Sequence, residues 1–456
     1  MKKNKSQKDL NRVVVIGCSG CGALAARTLK ELNPSLNVTI IREQEEKGLL
    51  TRCATPYICC GNVMVDPSYK DDDIFIKQGI ELVNVKAVDI DKAKRTVTTA
   101  DGRTFPYDKL VLATGARPTT LPVPGVSLPG VFFLRTSGDA VNILHWMNSR
   151  RVKNIVLIGA GAIGTEVAYL TSRHGINIIL VETQGHVMQG ILDPDMSEEI
   201  EGYMREQGVD LRLKQRVNTI KGTKEVEKVT LSSNEEISAQ MVIISAGTRP
   251  NSELAEKAGL EMGEMGLKVD NYLRTSDPDI YAGGDLIQYQ SHITGNPILG
   301  QLRPNAVISG RVIARNISGY KMQFPPLLNS FATKFFEKSI AGTGITETES
   351  RNSGIDVISA RQRSTSKHSM MREKKPYTVK LVVNKNDKKL VGSQIISDSE
   401  APVKHIDMLS LAIRCGVSIE EIATFRCAGQ PELSSDPGAE PIALAADKIL
   451  QYLIER

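Results

Sequence analysis

No stretch of the chain approaches the roughly 18 consecutive apolar residues that a membrane-spanning helix requires, so no spanning helix is expected. Charge of one sign is not in excess either. Lys and Arg number 57 against 52 Asp and Glu, a formal net charge of +5 with the two signs interspersed. That offers no electrostatic footprint for nucleic acid. Part of the excess sits in the leader Met1-Lys2-Lys3-Asn4-Lys5, expected as a frayed tail. The leader has no apolar core of the secretory kind, so a cytoplasmic protein is expected. A disulfide framework is missing as well: seven cysteines are an odd number without small-domain spacing, and they read as thiols in a reducing compartment. There is no low-complexity tract.

What is present is a chain of 456 residues with 41% hydrophobic content. That is enough for full cores and, at roughly 100–200 residues each, for two to four domains. Residues Val13 to Gly22 read VVVIGCSGCG, and Ala23-Leu24-Ala25-Ala26 then open a helical pattern. A buried strand that stops at glycines and turns into a helix aims backbone N–H groups and the positive helix end at an anion. A dinucleotide pyrophosphate is the usual occupant. The glycines are Gly17, Gly20 and Gly22, with Ser19 at the middle place of G-x-G-x-x-G, so an ordinary strand-to-helix turn would read much the same.

Repetition decides the matter. Residues Ile155 to Glu166 read IVLIGAGAIGTE, in which Gly159, Gly161 and Gly164 fit without exception. The strand Ile178-Ile179-Leu180-Val181 follows and ends in Glu182, at the distance where a carboxylate grips a ribose 2′-OH and repels a 2′-phosphate, which favours NADH. Two such units about 140 residues apart predict two dinucleotides, one of them FAD. In the first unit the strand Asn37 to Ile41 should end in the equivalent acid, where Arg42 stands with Glu43 behind it; Glu43 is favoured.

Further along, Thr51 is expected to cap a short helix that Gly61 ends, placing Cys53 in its first turn beside Arg52. Helix N-termini and cationic neighbours lower a thiol pKa and make a reactive thiolate. The plainer reading is a small buried residue at a packed helix start. Tyr107 to Pro118 gives a buried strand ending in Ala113-Thr114-Gly115-Ala116, small residues that let backbone approach a ligand closely. Met241 to Asn251 echoes it through Gly247. Asp279 to Asp285 is a short strand running through Gly284 into Asp285, either a ribose or ribityl partner or a turn-forming aspartate. A helix is expected at Leu302 to Ile317. Beyond Leu327 four strands, at Ser330–Phe335, Asp356–Arg361, Tyr377–Asn384 and Lys389–Ile396, read as an antiparallel sheet, with helices at Pro402–Cys415 and Ile419–Ala423.

This set resembles the FAD-dependent pyridine nucleotide–disulfide oxidoreductases, over about residues 12–450. The closest branch looks like the single-cysteine group of coenzyme A disulfide reductases, polysulfide or persulfide reductases, NADH oxidases and NADH peroxidases. The motifs that carry it are the first glycine turn, Ala113 to Pro118, the second turn with Glu166, Gly247 to Asn251, and Tyr281 to Asp285. The resemblance implies an α/β chain with two Rossmann-like dinucleotide-binding domains and a C-terminal α+β dimerisation domain. FAD would lie on residues 1–120 with 248–325, NAD(H) on 121–247, and 326–456 would form a homodimer reaching the partner's active site.

Cys53-Ala54-Thr55-Pro56-Tyr57 is similar to the branch's Cys-Gly-Leu-Pro-Tyr, which puts Cys53 at the redox position beside the flavin. The implied substrate is a small disulfide, persulfide or polysulfide. Disulfide-pair relatives carry a second cysteine five residues on, where this chain has Ile58. Cys59 and Cys60, ~9–10 Å from Cys53 along a helix, are out of disulfide reach and read as packing residues. Cys18, Cys21, Cys53 and Cys59 as metal ligands would compete with the pyrophosphate for the same turn, so no metal is expected. The branch's C-terminal tyrosines and turn histidine are missing, and Gln430 stands where lipoamide-type relatives have an acid–base histidine. His368 is the candidate left for that work, or a plain surface residue, and Cys427, which the resemblance puts near the partner's flavin, would relay electrons or simply pack. Two alternatives stay open: oxygen as acceptor, and a flavoprotein subunit that exchanges electrons with a partner protein.

Overall fold

The computed structural model describes residues 10–43 and 48–455. The leader Met1 to Lys5 lies outside them. Strand β1 (Arg12–Ile16) is buried at every position but its first, as expected of a strand covered on both faces of a parallel sheet. Helix α1 (Gly20–Leu32) follows, and then β2 (Asn37–Ile41), parallel to β1 in a register running from Arg12↔Asn37 to Ile16↔Ile41. Strands Ile80–Val83, Lys109–Leu112 and Ile280–Ala282 complete a five-stranded parallel sheet with β1 at its centre.

The second unit repeats the first. Strand β3 (Asn154–Ile158), helix α2 (Ala162–Ser172) and β4 (Asn177–Val181) pair over five residues in the same way. Val131–Phe133, Met241–Ile244 and Asp210–Arg212 widen this sheet to five parallel strands. The chain enters and leaves the unit through one two-stranded antiparallel ribbon, Ala116–Pro118 against Thr248–Pro250. A reciprocal clasp fixes its base: Thr114 Oγ1 donates to Asn251 O (2.8 Å) and Asn251 Nδ2 donates to Thr114 O (2.9 Å).

Helix α3 (Arg303–Ile317) packs on α1 at backbone distance. A Cβ on Gly310 would lie 2.2 Å from Cys21 O, so only glycine lets α3 close on the helix that carries the first turn. The C-terminal part is a five-stranded antiparallel sheet in the order Phe331–Phe335, Lys338–Gly344, Leu390–Ser397, Pro376–Asn384, Val357–Thr365, with His405–Cys415 and Pro441–Ile454 among its helices. Two of these elements were not foreseen. Lys338–Gly344 was not among the expected strands. Yet Gly342 leaves room for the Phe331 ring and Gly344 (φ +73°) for the Val391 carbonyl, so the strand sits inside the sheet. The terminal helix was the other. Among the described residues no helix is long and apolar enough to cross a membrane.

Candidate functional site

The two glycine turns are built alike. Gly17 and Gly159 both have φ +103°, a left-handed conformation that favours glycine. A Cβ on Gly17 would fall 2.1 Å from Ala113 O, and one on Gly159 would fall 2.7 Å from Ser245 O. Gly22 and Gly164 play a second role, since a Cβ on either would lie 2.0 Å from the carbonyl of its own Gly17 or Gly159. Each helix therefore starts pressed against the end of its strand, with its free N–H groups above the sheet. Ser19 is the N-cap residue of α1, and its side chain makes no cap hydrogen bond.

Above the first turn opens a cavity of about 1020 Å³. Gly17, Ser19, Gly20, Glu43, Arg52, Thr114, Gly115, Gly284 and Asp285 all line it. Nothing lies within 4 Å of where a Gly115 Cβ would stand, so backbone there faces open space. The volume, the glycine backbone and the helix N-terminus fit a dinucleotide such as FAD. Gly283 to Asp285 are pinned at the floor, where Ser309 Oγ accepts from Gly284 N (3.0 Å) and Tyr289 OH donates to Gly284 O (3.0 Å). Asp285 is held by Arg135 at 2.7 Å, and the carbonyl of Arg135 accepts from Arg52 Nη1 (2.8 Å). Arg135 was not singled out by the sequence. Its signal was the Thr136 to Asp139 capping box that starts the next helix.

The ribose end departs from the usual pattern. Arg42 occupies the register place that Glu182 holds in the second unit, one residue past the strand in each case. Arg42 is buried and bonded to Asp72 and to Asn84 Oδ1 (2.7 Å). Glu43 lies on the cavity wall and pairs with Lys86 at 3.2 Å. Cys18 faces Arg42, which pulls its thiol down, but burial wins and pushes it up to about 11. Cys21 is buried and pushed up to about 12. In the second unit Glu182 accepts from Ala160 N (2.8 Å) and Gln184 N (2.9 Å), which ties the carboxylate to the glycine turn itself.

Cys53 is exposed, yet the expectation of a lowered pKa is overturned. It lies in a 3₁₀ turn, Arg52–Ala54, ahead of the five-residue helix Thr55–Cys59, and not in the first turn of a long helix. Partial burial raises its pKa; Arg303 opposes that, while Glu166 and Asp285 add to it. Arg303, at the start of α3, is the cation whose charge reaches Cys53 and which sequence reasoning missed, 250 residues downstream of the thiol. Cys59 and Cys60 are fully buried, with Cys59 Sγ donating to Pro56 O (3.1 Å).

Glu166, one turn past Gly161 on α2, accepts from Thr333 Oγ1 at 2.6 Å. Burial raises its pKa and the threonine bond lowers it. Gly247 (φ +94°) sits just before the interdomain ribbon. His368 and Cys427 are not brought to the cavity of their own chain. His368 Nε2 pairs with Asp436 at 3.1 Å, and its N–H donates to Pro431 O, which knits the turn after Thr365 to the segment around Gln430. The group of three carboxylates that lies within metal-binding spacing among the described residues is Asp193, Asp195 and Glu347, and the Lys380 ammonium contacts all three.

Comparison with known proteins gives the same architecture. Residues 11–308 match the family model described as pyridine nucleotide-disulphide oxidoreductase, and residues 330–439 match the dimerisation domain of the same family. An NADH oxidase of Methanocaldococcus jannaschii is 33% identical over 97% of this chain and 99% of its own. An NAD(P)H coenzyme A polysulfide/persulfide reductase of Pyrococcus horikoshii is 31% identical over 97% and 98%. The solved structure of an NAD-dependent persulfide reductase from A. fulgidus is 30% identical and superposes with a TM-score of 0.93, covering 97% of this chain and 84% of that one.

Proposed function

Because the chain belongs to the pyridine nucleotide-disulphide oxidoreductases, and is thus an NAD(P)H-dependent flavin oxidoreductase, we propose that it reduces a small persulfide, polysulfide or disulfide through Cys53. The observation that carries this reading is the exposed Cys53, electrostatically coupled to Asp285 of the FAD cradle and to Glu166 beyond the second glycine turn. FAD, when bound on residues 1–120 with 248–325, supplies the two-electron link between nicotinamide and sulfur.

The chain's own residues do the rest. Gly17, Ser19 and Gly20 hold the pyrophosphate of FAD, Glu43 takes its adenosine ribose, and Asp285, steadied by Arg135, takes a hydroxyl of its sugar chain. Gly159, Gly161 and Glu182, within 121–247, orient the nicotinamide nucleotide, and Glu182 selects NADH. Cys53, helped by the positive charge of Arg303, attacks the outer sulfur of R–S–S–H and releases R–SH, keeping that sulfur as its own persulfide. The electron pair from NADH, with one proton, then cleaves the new S–S bond. The balance is R–SSH + NADH + H⁺ → R–SH + H₂S + NAD⁺. Residues 326–456 pair two copies, and His368 and Cys427 serve the partner's site across that pairing. The thiols suit a reducing, cytoplasmic compartment.

Oxygen as the acceptor is the second reading, favoured by the resemblance to the M. jannaschii oxidase. An electron-transfer protein as partner is the third. An anaerobic screen of acceptors with NADH decides among them. Cys53→Ser should abolish persulfide and disulfide turnover while NADH still bleaches the flavin. Unchanged turnover by this variant removes Cys53 from the mechanism.

A further inference from the structure

Strand Phe331–Phe335 belongs to the C-terminal sheet, yet its ring side chains are seated on the nucleotide-binding unit. Phe335 and Phe336 pack against Tyr169 of α2 and Tyr203 at ring-centroid distances of 4.6–6.2 Å. Lys338 caps the Tyr203 ring at 5.2 Å. This aromatic clamp fixes the strand on α2. Between the rings Thr333, itself 9% exposed, presents its hydroxyl to the Glu166 carboxylate at 2.6 Å. Glu166 lies one turn beyond the second glycine turn, and its charge is felt at Cys53 and Tyr57. It therefore sits between the nucleotide cradle and the sulfur.

We propose that Thr333 is a positioning residue contributed by the dimerisation domain: its hydroxyl holds Glu166 as an oriented carboxylate beside the nicotinamide ring. The inference rests on the hydride-transfer reading above. Loss of hydride leaves the ring cationic, and a fixed carboxylate favours that charge as it develops. Without the hydroxyl, burial alone acts on Glu166 and drives it toward its neutral form. The other titratable and charged groups around this point are Cys53, Tyr57, Tyr169, Tyr203, Lys334 and Lys338, with Arg303 and Asp285 acting on Cys53; the Lys334 ammonium is engaged by Glu400 and the Lys338 ammonium by Asp398. The site for the hydride donor is thus incomplete without the C-terminal domain.

The test uses the full-length, FAD-loaded protein and follows anaerobic flavin reduction by NADH with pH, normalised to bound flavin. Thr333→Val should slow reduction roughly three- to tenfold near about pH 6 and reach the native rate by about pH 8.5. Thr333→Ser should restore the native profile. Glu166→Gln should flatten the acid limb, and adding Thr333→Val to it should change nothing further. Native rates for Thr333→Val at every pH, or an equal loss at every pH that serine does not rescue, overturn the proposal. Should Thr333→Val fail to hold flavin, Glu166→Gln decides alone, since an acid limb that survives it leaves Thr333 nothing to position. Failure of the underlying reading looks different: the native flavin is then not bleached by NADH at all.

Discussion

At the scale of single residues, the thiol is governed by a charge that no local reading of the sequence reveals. Cys53 and Arg52 are adjacent in the chain, which suggested a thiolate made by its neighbour. The Arg52 guanidinium instead donates to the Arg135 carbonyl, and the cation acting on Cys53 is Arg303. Burial, Glu166 and Asp285 all work against it, so the thiol is less acidic than an ordinary one. Arg303→Met should remove that opposition and raise the thiol pKa further. Alkylation of Cys53 by iodoacetamide at about pH 7.5 should then fall roughly two- to fivefold, because the thiolate is the reacting form. Equal alkylation rates in the two proteins would show that Arg303 does not act on Cys53. The glycines, by contrast, were legible, because their constraint is local: a chain that turns over its own carbonyl has no room for a Cβ.

At the scale of elements, that constraint separates strain from obstruction. Gly17 and Gly102 both have positive φ, +103° and +84°. A Cβ on Gly17 would strike Ala113 O at 2.1 Å, whereas nothing lies within 4 Å of one on Gly102. Gly102→Ala should therefore cost about 1–2 kcal/mol of backbone strain and keep its flavin. Gly17→Ala must push β1 and α1 away from the Lys109–Leu112 strand end, and the purified protein should be nearly colourless. The ratio of flavin to protein absorbance reads both. Comparable flavin content in the two variants would mean that the first turn is not the pyrophosphate seat. The paired βαβ units were readable because a buried parallel strand is a continuous apolar run. Lys338–Gly344 was not readable, because its small residues are explained only by Phe331 and Val391, which come from other strands.

At the scale of the whole molecule, the nucleotide-binding unit is fastened to the C-terminal sheet by charge as well as by rings. Asp193, fully buried at the start of the helix Pro194–Glu206, exchanges hydrogen bonds with Gln394 in both directions, at 2.8 and 2.7 Å. Lys380, 3% exposed, contacts Asp193 at 3.3 Å, Asp195 at 2.6 Å and Glu347 at 2.8 Å. Lys380→Met leaves the buried Asp193 carboxylate, and its partly exposed neighbours Asp195 and Glu347, without their cation, a loss of about 3–5 kcal/mol carried by the buried Asp193. It should lower the thermal midpoint while leaving the thiol chemistry of Cys53 in place. The pH dependence follows from the shifts. Burial pushes Glu347 up, but Lys380, with the Ser359 hydroxyl and Arg351, outweighs it and leaves the carboxyl below its ordinary 4.5, so this contribution is present above 4.5 and is lost as pH falls through the depressed value. Burial disfavours the Lys380 charge, yet the three carboxylates hold its pKa above the ordinary 10.5, so its contribution is complete below 10.5. The gap in midpoint between native and Lys380→Met proteins should accordingly stay constant between about pH 6 and 9 and close as the pH drops below about 4.5. A gap that persists in strong acid would assign the loss to side-chain packing and remove the ionic fastening between the two domains.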